Sequence, residues 1–192
     1  TIGSDPYPTL DSTHNLVYYG GDADPNYTNC THTYDDDGFC TICGYAHFAE
    51  YHDGYYELAN PGNLVWFANT FNSHSYADDY MGAKLVRDID LTPLPDFQLG
   101  TKAIPFYGIF DGQGHTISSV NVTTLNNNDA ESYGYASGLF GIVNGTKKDG
   151  TAIKNLTVQG TLTTDASTDF CLGGVVAIAY GNVTIEGVVS QV

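Results

Sequence analysis

The chain has 192 residues, enough for one domain with a buried core, and its 22 Asp and Glu against 6 Lys and Arg leave a formal charge of −16. Such a charge repels phosphate backbones and anionic lipid headgroups, so neither nucleic acid nor a membrane surface is an expected partner. No stretch approaches the roughly 20 consecutive apolar residues of a transmembrane helix, and membrane insertion is not expected.

Residues 1–29 are polar and turn-rich, with one apolar patch at Leu16-Val17-Tyr18-Tyr19, and read as an extended lead-in. Thr1 reads as the start of a mature or trimmed chain. The run from Asp22 to Asn26 lacks the later Gly and Glu that a calcium loop needs, so it reads as a solvated turn.

Residues 30–48 form a small Cys/His module. Cys30 and His32 stand in a Cys-x-His pair, and Cys40 and Cys43 in a Cys-x-x-Cys-Gly pair. Three thiolates and one imidazole make a closed tetrahedral set suited to structural Zn²⁺, with no position left for a reacting water. Asp35-Asp36-Asp37-Gly38 supplies the reversal between the pairs, and Gly44 lets the backbone fold back toward the sulfurs. Four other arrangements stay open: a Cys40–Cys43 redox disulfide, though no βαβ pattern surrounds it, a Cys30–Cys171 disulfide, His47 or His52 in place of His32, or free thiols.

The rest, 49–192, reads as one β-rich unit. Residues 54–59 predict a short strand. Asn60-Pro61 predicts a helix start, and Leu64, Phe67, Ala68 and Phe71 give the apolar face of a helix at about 60–72. From Ala83 the period changes to two, with Ala83, Leu85, Ile89 and Leu91 apolar and Arg87 out of step. Residues 92–102, with Pro93 and Pro95, read as a loop.

A degenerate repeat follows, in units at 107–122, 137–145 continuing through 152–160, and 173–188. Each opens on Gly and an apolar pair, passes a Gly-containing turn and ends in an alternating strand. Ile117, Val120 and Val122 match Ile153, Leu156 and Val158 in this alignment. Ile109, Phe110, Leu139, Ile153, Leu156 and Val158 are the expected interior residues. One such unit cannot bury its inward side chains alone. Stacking units about 4.8 Å apart pairs each backbone with the next and builds a continuous apolar column. The expected fold is mainly β: a right-handed parallel β-helix, or β-solenoid, with one short helix and an N-terminal Cys/His zinc module.

The ordered runs Tyr-Tyr-Glu-Leu-Ala-Asn-Pro-Gly-Asn-Leu-Val-Trp-Phe-Ala (55–68), Ala-Lys-Leu-Val-Arg-Asp-Ile-Asp-Leu (83–91), Gly-Ile-Phe-Asp-Gly-Gln-Gly-His-Thr-Ile (108–117), Gly-Leu-Phe-Gly (138–141) and Ile-Lys-Asn-Leu-Thr-Val (153–158) resemble GLUG-motif right-handed β-helix modules. Those modules occur in secreted and cell-wall proteins of anaerobic bacteria. The last unit departs from the pattern, with Gly-Gly-Val-Val-Ala where the family favours Gly-Gly-Leu-Val-Gly. The Cys/His segment resembles small zinc-knuckle inserts of clostridial surface proteins. The resemblance implies an extracellular or cell-surface location, an adhesive or scaffolding role and no catalytic residues.

A non-catalytic structural or adhesive module is therefore the expected function. Its expected partners are further copies of itself, stacked head-to-tail into a filament, or a host or cell-surface protein or glycan. The sequence breaks off at a repeat strand with no polar cap, so the end coil is expected to be covered by missing chain, by residues 1–29 or by another subunit. A glycan-binding module is the alternative, resting on Tyr clusters at 18–19, 51–56, 76–80 and 133–135. A polysaccharide-active enzyme would need carboxylates such as Asp88, Asp90 and Asp111, or a base among Lys147, Lys148 and Lys154. Sequons at Asn26, Asn29, Asn121, Asn144, Asn155 and Asn182 read as turn and strand residues rather than glycan acceptors.

Overall fold

A computed structural model describes residues 32–73, 81–94, 97–122, 135–146, 150–163 and 170–192. The lead-in, Cys30, Lys147, Lys148 and Tyr133 lie outside the described residues. Among the described residues the protein is mainly β, with parallel sheets and one helix.

The first described elements are β1 (Glu50–His52) and β2 (Tyr55–Leu58), an antiparallel hairpin turned by Asp53-Gly54, both at positive φ. Helix α1 (Pro61–Ser73) follows. Its start was legible: the Asn60 side chain accepts the Asn63 N–H at 2.8 Å, an N-cap bond, and Pro61 takes the first turn. Leu64, Phe67, Ala68 and Phe71 are all buried, as their spacing predicts.

After α1 the chain repeats a strand–corner–strand pattern. The pairs are β3 (Met81–Leu85) with β4 (Ile89–Asp90), and β5 (Gly108–Asp111) with β6 (Thr116–Val122). They continue as β9 (Thr151–Lys154) with β10 (Thr157–Leu162), and β13 (Val183–Glu186) with β14 (Val189–Gln191). The first members join β2 in one sheet, in the order β1-β2-β3-β5-β9-β13, and every pair after β1–β2 is parallel. The second members form a parallel sheet ordered β14-β10-β6-β4. Two further parallel pairs lie among the described residues: β7 (Tyr135–Ser137) with β11 (Phe170–Leu172), and β8 (Phe140–Gly145) with β12 (Val176–Gly181). Leu99 and Phe106, in the segment read as a loop and just beyond it, bridge in parallel to Phe140 and Val143, adding a third layer to β8 and β12.

The register lines up equivalent side chains. Ala83, Phe110, Ile153 and Ile185 lie opposite one another in successive strands, and so do Ile89, Ile117, Val158 and Ser190. All are buried except the last of each series, Ile185 and Ser190. Phe71, Phe106, Phe140 and Phe110 follow one another at ring separations of 5.1–5.4 Å. Each such buried side chain contributes about 1.5–3 kcal/mol from area removed from water.

Three sequence expectations need correction. Ile109 is half-buried on the outer face, opposite Gly82 and Ala152, because the inward residue of β5 is Phe110. The repeat alignment is displaced: Ile117 pairs with Val158, not Ile153, whose true equivalent is Phe110. Ile117-x-x-Val120 and Ile153-x-x-Leu156 look alike, yet the first spans a β-bulge within β6 and the second a corner between β9 and β10. Both depend on one residue in the left-handed region, Ser119 at φ 58° and Asn155 at φ 52°. Likewise the alternating run from Ala83 is two strands, and Arg87 is out of step because it sits on the exposed corner between them.

On the outer face of the six-stranded sheet the register makes a charge ladder. Glu57, Lys84, Asp111, Lys154 and Glu186 are successive neighbours. Lys84 Nζ lies 3.0 Å from Glu57, and Lys154 Nζ lies 3.4 Å from Asp111.

Candidate metal centre

The Cys/His segment is a small antiparallel hairpin. Tyr34 bridges to Cys40 and Phe39 to Ala46. The acidic turn works as its composition suggests. The Asp35 carboxylate accepts the Phe39 N–H at 2.9 Å, the Gly38 N–H donates to the Asp35 carbonyl, and Gly38 sits at φ 80°. At the second pair, the Gly44 N–H donates to the Cys40 carbonyl at 2.7 Å and Gly44 adopts φ 70°. That tight turn is what aims two sulfurs at one point.

His32, Cys40 and Cys43 converge, with all three donor atoms within 4.8 Å of one another. Cys43 Sγ lies 3.4 Å from His32 Nδ1. A tetrahedral Zn²⁺ with Zn–S near 2.3 Å and Zn–N near 2.0 Å would set that separation at about 3.5 Å. Cys40 is buried, Cys43 half-buried and His32 exposed. Burial of the Cys40 thiol raises its pKa. The backbone N–H of Cys43, the His32 side chain and the N–H groups of Ile42 and Thr33 outweigh that and lower it to about 5. A thiolate at neutral pH is the form that binds metal. The three residues thus suit a soft divalent cation such as Zn²⁺ in donor chemistry and spacing. Cys30, the fourth expected ligand, lies outside the described residues.

The other arrangements fare differently. His47 packs edge-on against Tyr34 and lies 3.4 Å from the Asn63 amide, and His52 pairs with Glu50 at 3.1 Å; neither joins the group. Cys171 is an exposed thiol outside any disulfide.

The hairpin is fastened to the start of α1. The Gly62 N–H donates to the Asp37 carbonyl at 2.7 Å, and the buried Asn63 amide donates to the carbonyls of His47 and Phe48, both at 3.1 Å. A side chain on Gly62 would run into the Gly38 carbonyl. The Asn-Pro-Gly-Asn run at 60–63 therefore both starts the helix and docks the Cys/His hairpin. The sequence showed the first role through its cap residues. Only the close approach of two backbones reveals the second.

The carboxylates considered for catalysis are held by structural bonds. Asp88 accepts the Thr116 N–H at 2.9 Å and pairs with His115 at 3.1 Å, and these keep its carboxyl below the ordinary range. Asp90 is lowered likewise by the hydroxyls of Ser119 and Thr92 and the Thr92 N–H. For Asp111 burial pushes upward, but the Gln113 N–H, the Asn155 amide and Lys154 prevail and hold it low. No carboxyl of the three has the raised pKa that a general acid needs.

No protein-family model, curated protein or solved structure matches the chain.

Proposed function

We propose that this chain is a non-catalytic structural and adhesive module of an extracellular or cell-surface protein. In this reading it is a right-handed β-solenoid of the GLUG-motif kind with a Zn²⁺-fastened N-terminal hairpin. The observation that carries the reading is the in-register series of parallel strands, in which equivalent residues form continuous buried columns. Repeat stacks of this kind offer extended, rigid surfaces. The engagement of Asp88, Asp90 and Asp111 in corners and ladders supports a module without chemistry. The metal, held by Cys30, His32, Cys40 and Cys43, would lock the hairpin against α1.

The test is exposure of the purified chain to a panel of plant, microbial and host polysaccharides, together with glycan-array binding. Neither reducing ends nor unsaturated products are expected to appear. Release of either would replace this reading with an enzyme. One observation favours glycan binding as the second reading: Tyr51 is 60% exposed, an aromatic side chain on which a sugar ring can stack. Array binding that disappears in Tyr51→Ala would establish it.

A further inference from the structure

Three short backbone runs surround the donor atoms of the Cys/His hairpin. Tyr34 bridges antiparallel to Cys40, and the Cys40 N–H donates to the Tyr45 carbonyl at 2.8 Å. Cys40 thus lies between the run that carries His32 and the run that follows Cys43. Each flanking run brings one tyrosine beside the imidazole. The Tyr34 ring centre is 5.7 Å from that of His32, with 24° between the planes, and the Tyr45 ring centre is 5.2 Å away, with 29°. Both pairs are stacked, within the range of roughly 4.5–7 Å over which aromatic rings attract. The imidazole held in this way turns Nδ1 toward Cys43 Sγ, at 3.4 Å.

We infer that Tyr34 and Tyr45 are positioning residues for the metal, fixing the His32 imidazole so that it ligates Zn²⁺ through Nδ1. A histidine offers two nitrogens, and what surrounds the ring decides which one a metal takes. Stacking sets both the plane and the place of the ring. Turning the ring over within that plane would put Cδ2, a carbon with no lone pair, where Nδ1 stands. Nε2 lies on the side of the ring away from Cβ, and would reach the same point only if the imidazole left the stack. The neutral imidazole then carries its proton on Nε2. Neither tyrosine needs its hydroxyl for this, because the stacked surface and the quadrupole belong to the ring. Tyr34 has a second contact. It meets His47 edge-on, with ring centres 4.3 Å apart, so it braces both the metal ligand and the residue whose carbonyl the Asn63 amide holds. That makes Tyr45 the cleaner probe.

The inference rests on the metal reading proposed above, and its test uses the full chain loaded with Zn²⁺. Long-range proton–nitrogen NMR spectra, with the His32 signals assigned by their loss in His32→Gln, are expected to show the metal on Nδ1 and the proton on Nε2. Tyr45→Phe should keep this pattern, and should keep the zinc affinity measured by competition with a chromophoric chelator. Tyr45→Leu retains bulk without an aromatic ring. It should bind zinc about fivefold more weakly, the factor for about 1 kcal/mol of ring stacking, and should show His32 divided between Nδ1 and Nε2 ligation. Tyr34→Phe and Tyr34→Leu should differ in the same way. Protection of the Gly62 amide, which donates to the Asp37 carbonyl, reports that the hairpin is still docked in each variant. Where a Leu variant undocks the hairpin, the parent spectrum and the Phe variants still decide. Absence of zinc uptake by the parent chain would overturn the metal reading and the inference with it. Three results would overturn the inference alone: zinc held through Nε2, a docked Tyr45→Leu chain with the affinity and nitrogen pattern of the parent, or a Tyr45→Phe chain as weak as Tyr45→Leu.

Discussion

Cys40 carries opposed demands: burial disfavours its charge, while backbone N–H groups and His32 favour it. Cys40→Ser is therefore expected to abolish metal uptake, read as loss of bound zinc by elemental analysis and of the visible bands of a Co²⁺-substituted sample. Residues 32–48 should lose order in that variant while the sheets persist, because stacked strands depend mainly on their neighbours. Asp111 makes a second prediction. Its folded pKa is depressed, so its stabilising effect is complete above the ordinary carboxylate value of 3.8 and is lost as pH falls through the folded value. Acid unfolding should thus steepen below about pH 4, the range of unperturbed carboxylates. Asp111→Asn should make that limb shallower while lowering stability at neutral pH. Denaturant midpoints across a pH series check both.

Among the elements, β10 and the corner before it are the most exacting. Leu156 is buried at that corner, and Leu156→Ala should destabilise by about 2–5 kcal/mol in chemical denaturation. Gly62→Ala should destabilise by about 1–3 kcal/mol through overpacking against Gly38, with faster amide exchange at Gly38 and His47 and little change in β9. Helix α1 was legible because its cap residues and apolar spacing agree. The strand segments were legible as strands, but their matching was not. A three-residue apolar spacing arises equally from the bulge at Ser119 and the corner at Asn155, and local sequence does not separate them. Hairpin strand β1, with Glu50, Tyr51 and His52 all exposed, has no apolar alternation to announce it. At the candidate site, the spacing brought out His32, Cys40 and Cys43. The grip of Asn63 on the His47 and Phe48 carbonyls left no local signal.

For the molecule as a whole, stability should grade along the sheets. Amide exchange is expected to be slowest in β5 and β9, which have parallel neighbours on both sides, and faster in β13 and β14, whose residues are mostly exposed. Melting should rise with moderate salt, since screening relieves the self-repulsion of a −16 chain. The core also contains its own optical gauge. Trp66 is the single tryptophan and lies 5.4 Å from Tyr56, so light absorbed in β2 is emitted from α1. Because the same helix starts at the residues that grip the Cys/His hairpin, its fluorescence is expected to shift when that grip is released. A chelator titration followed at that one emission band would time the release of the hairpin without any added label.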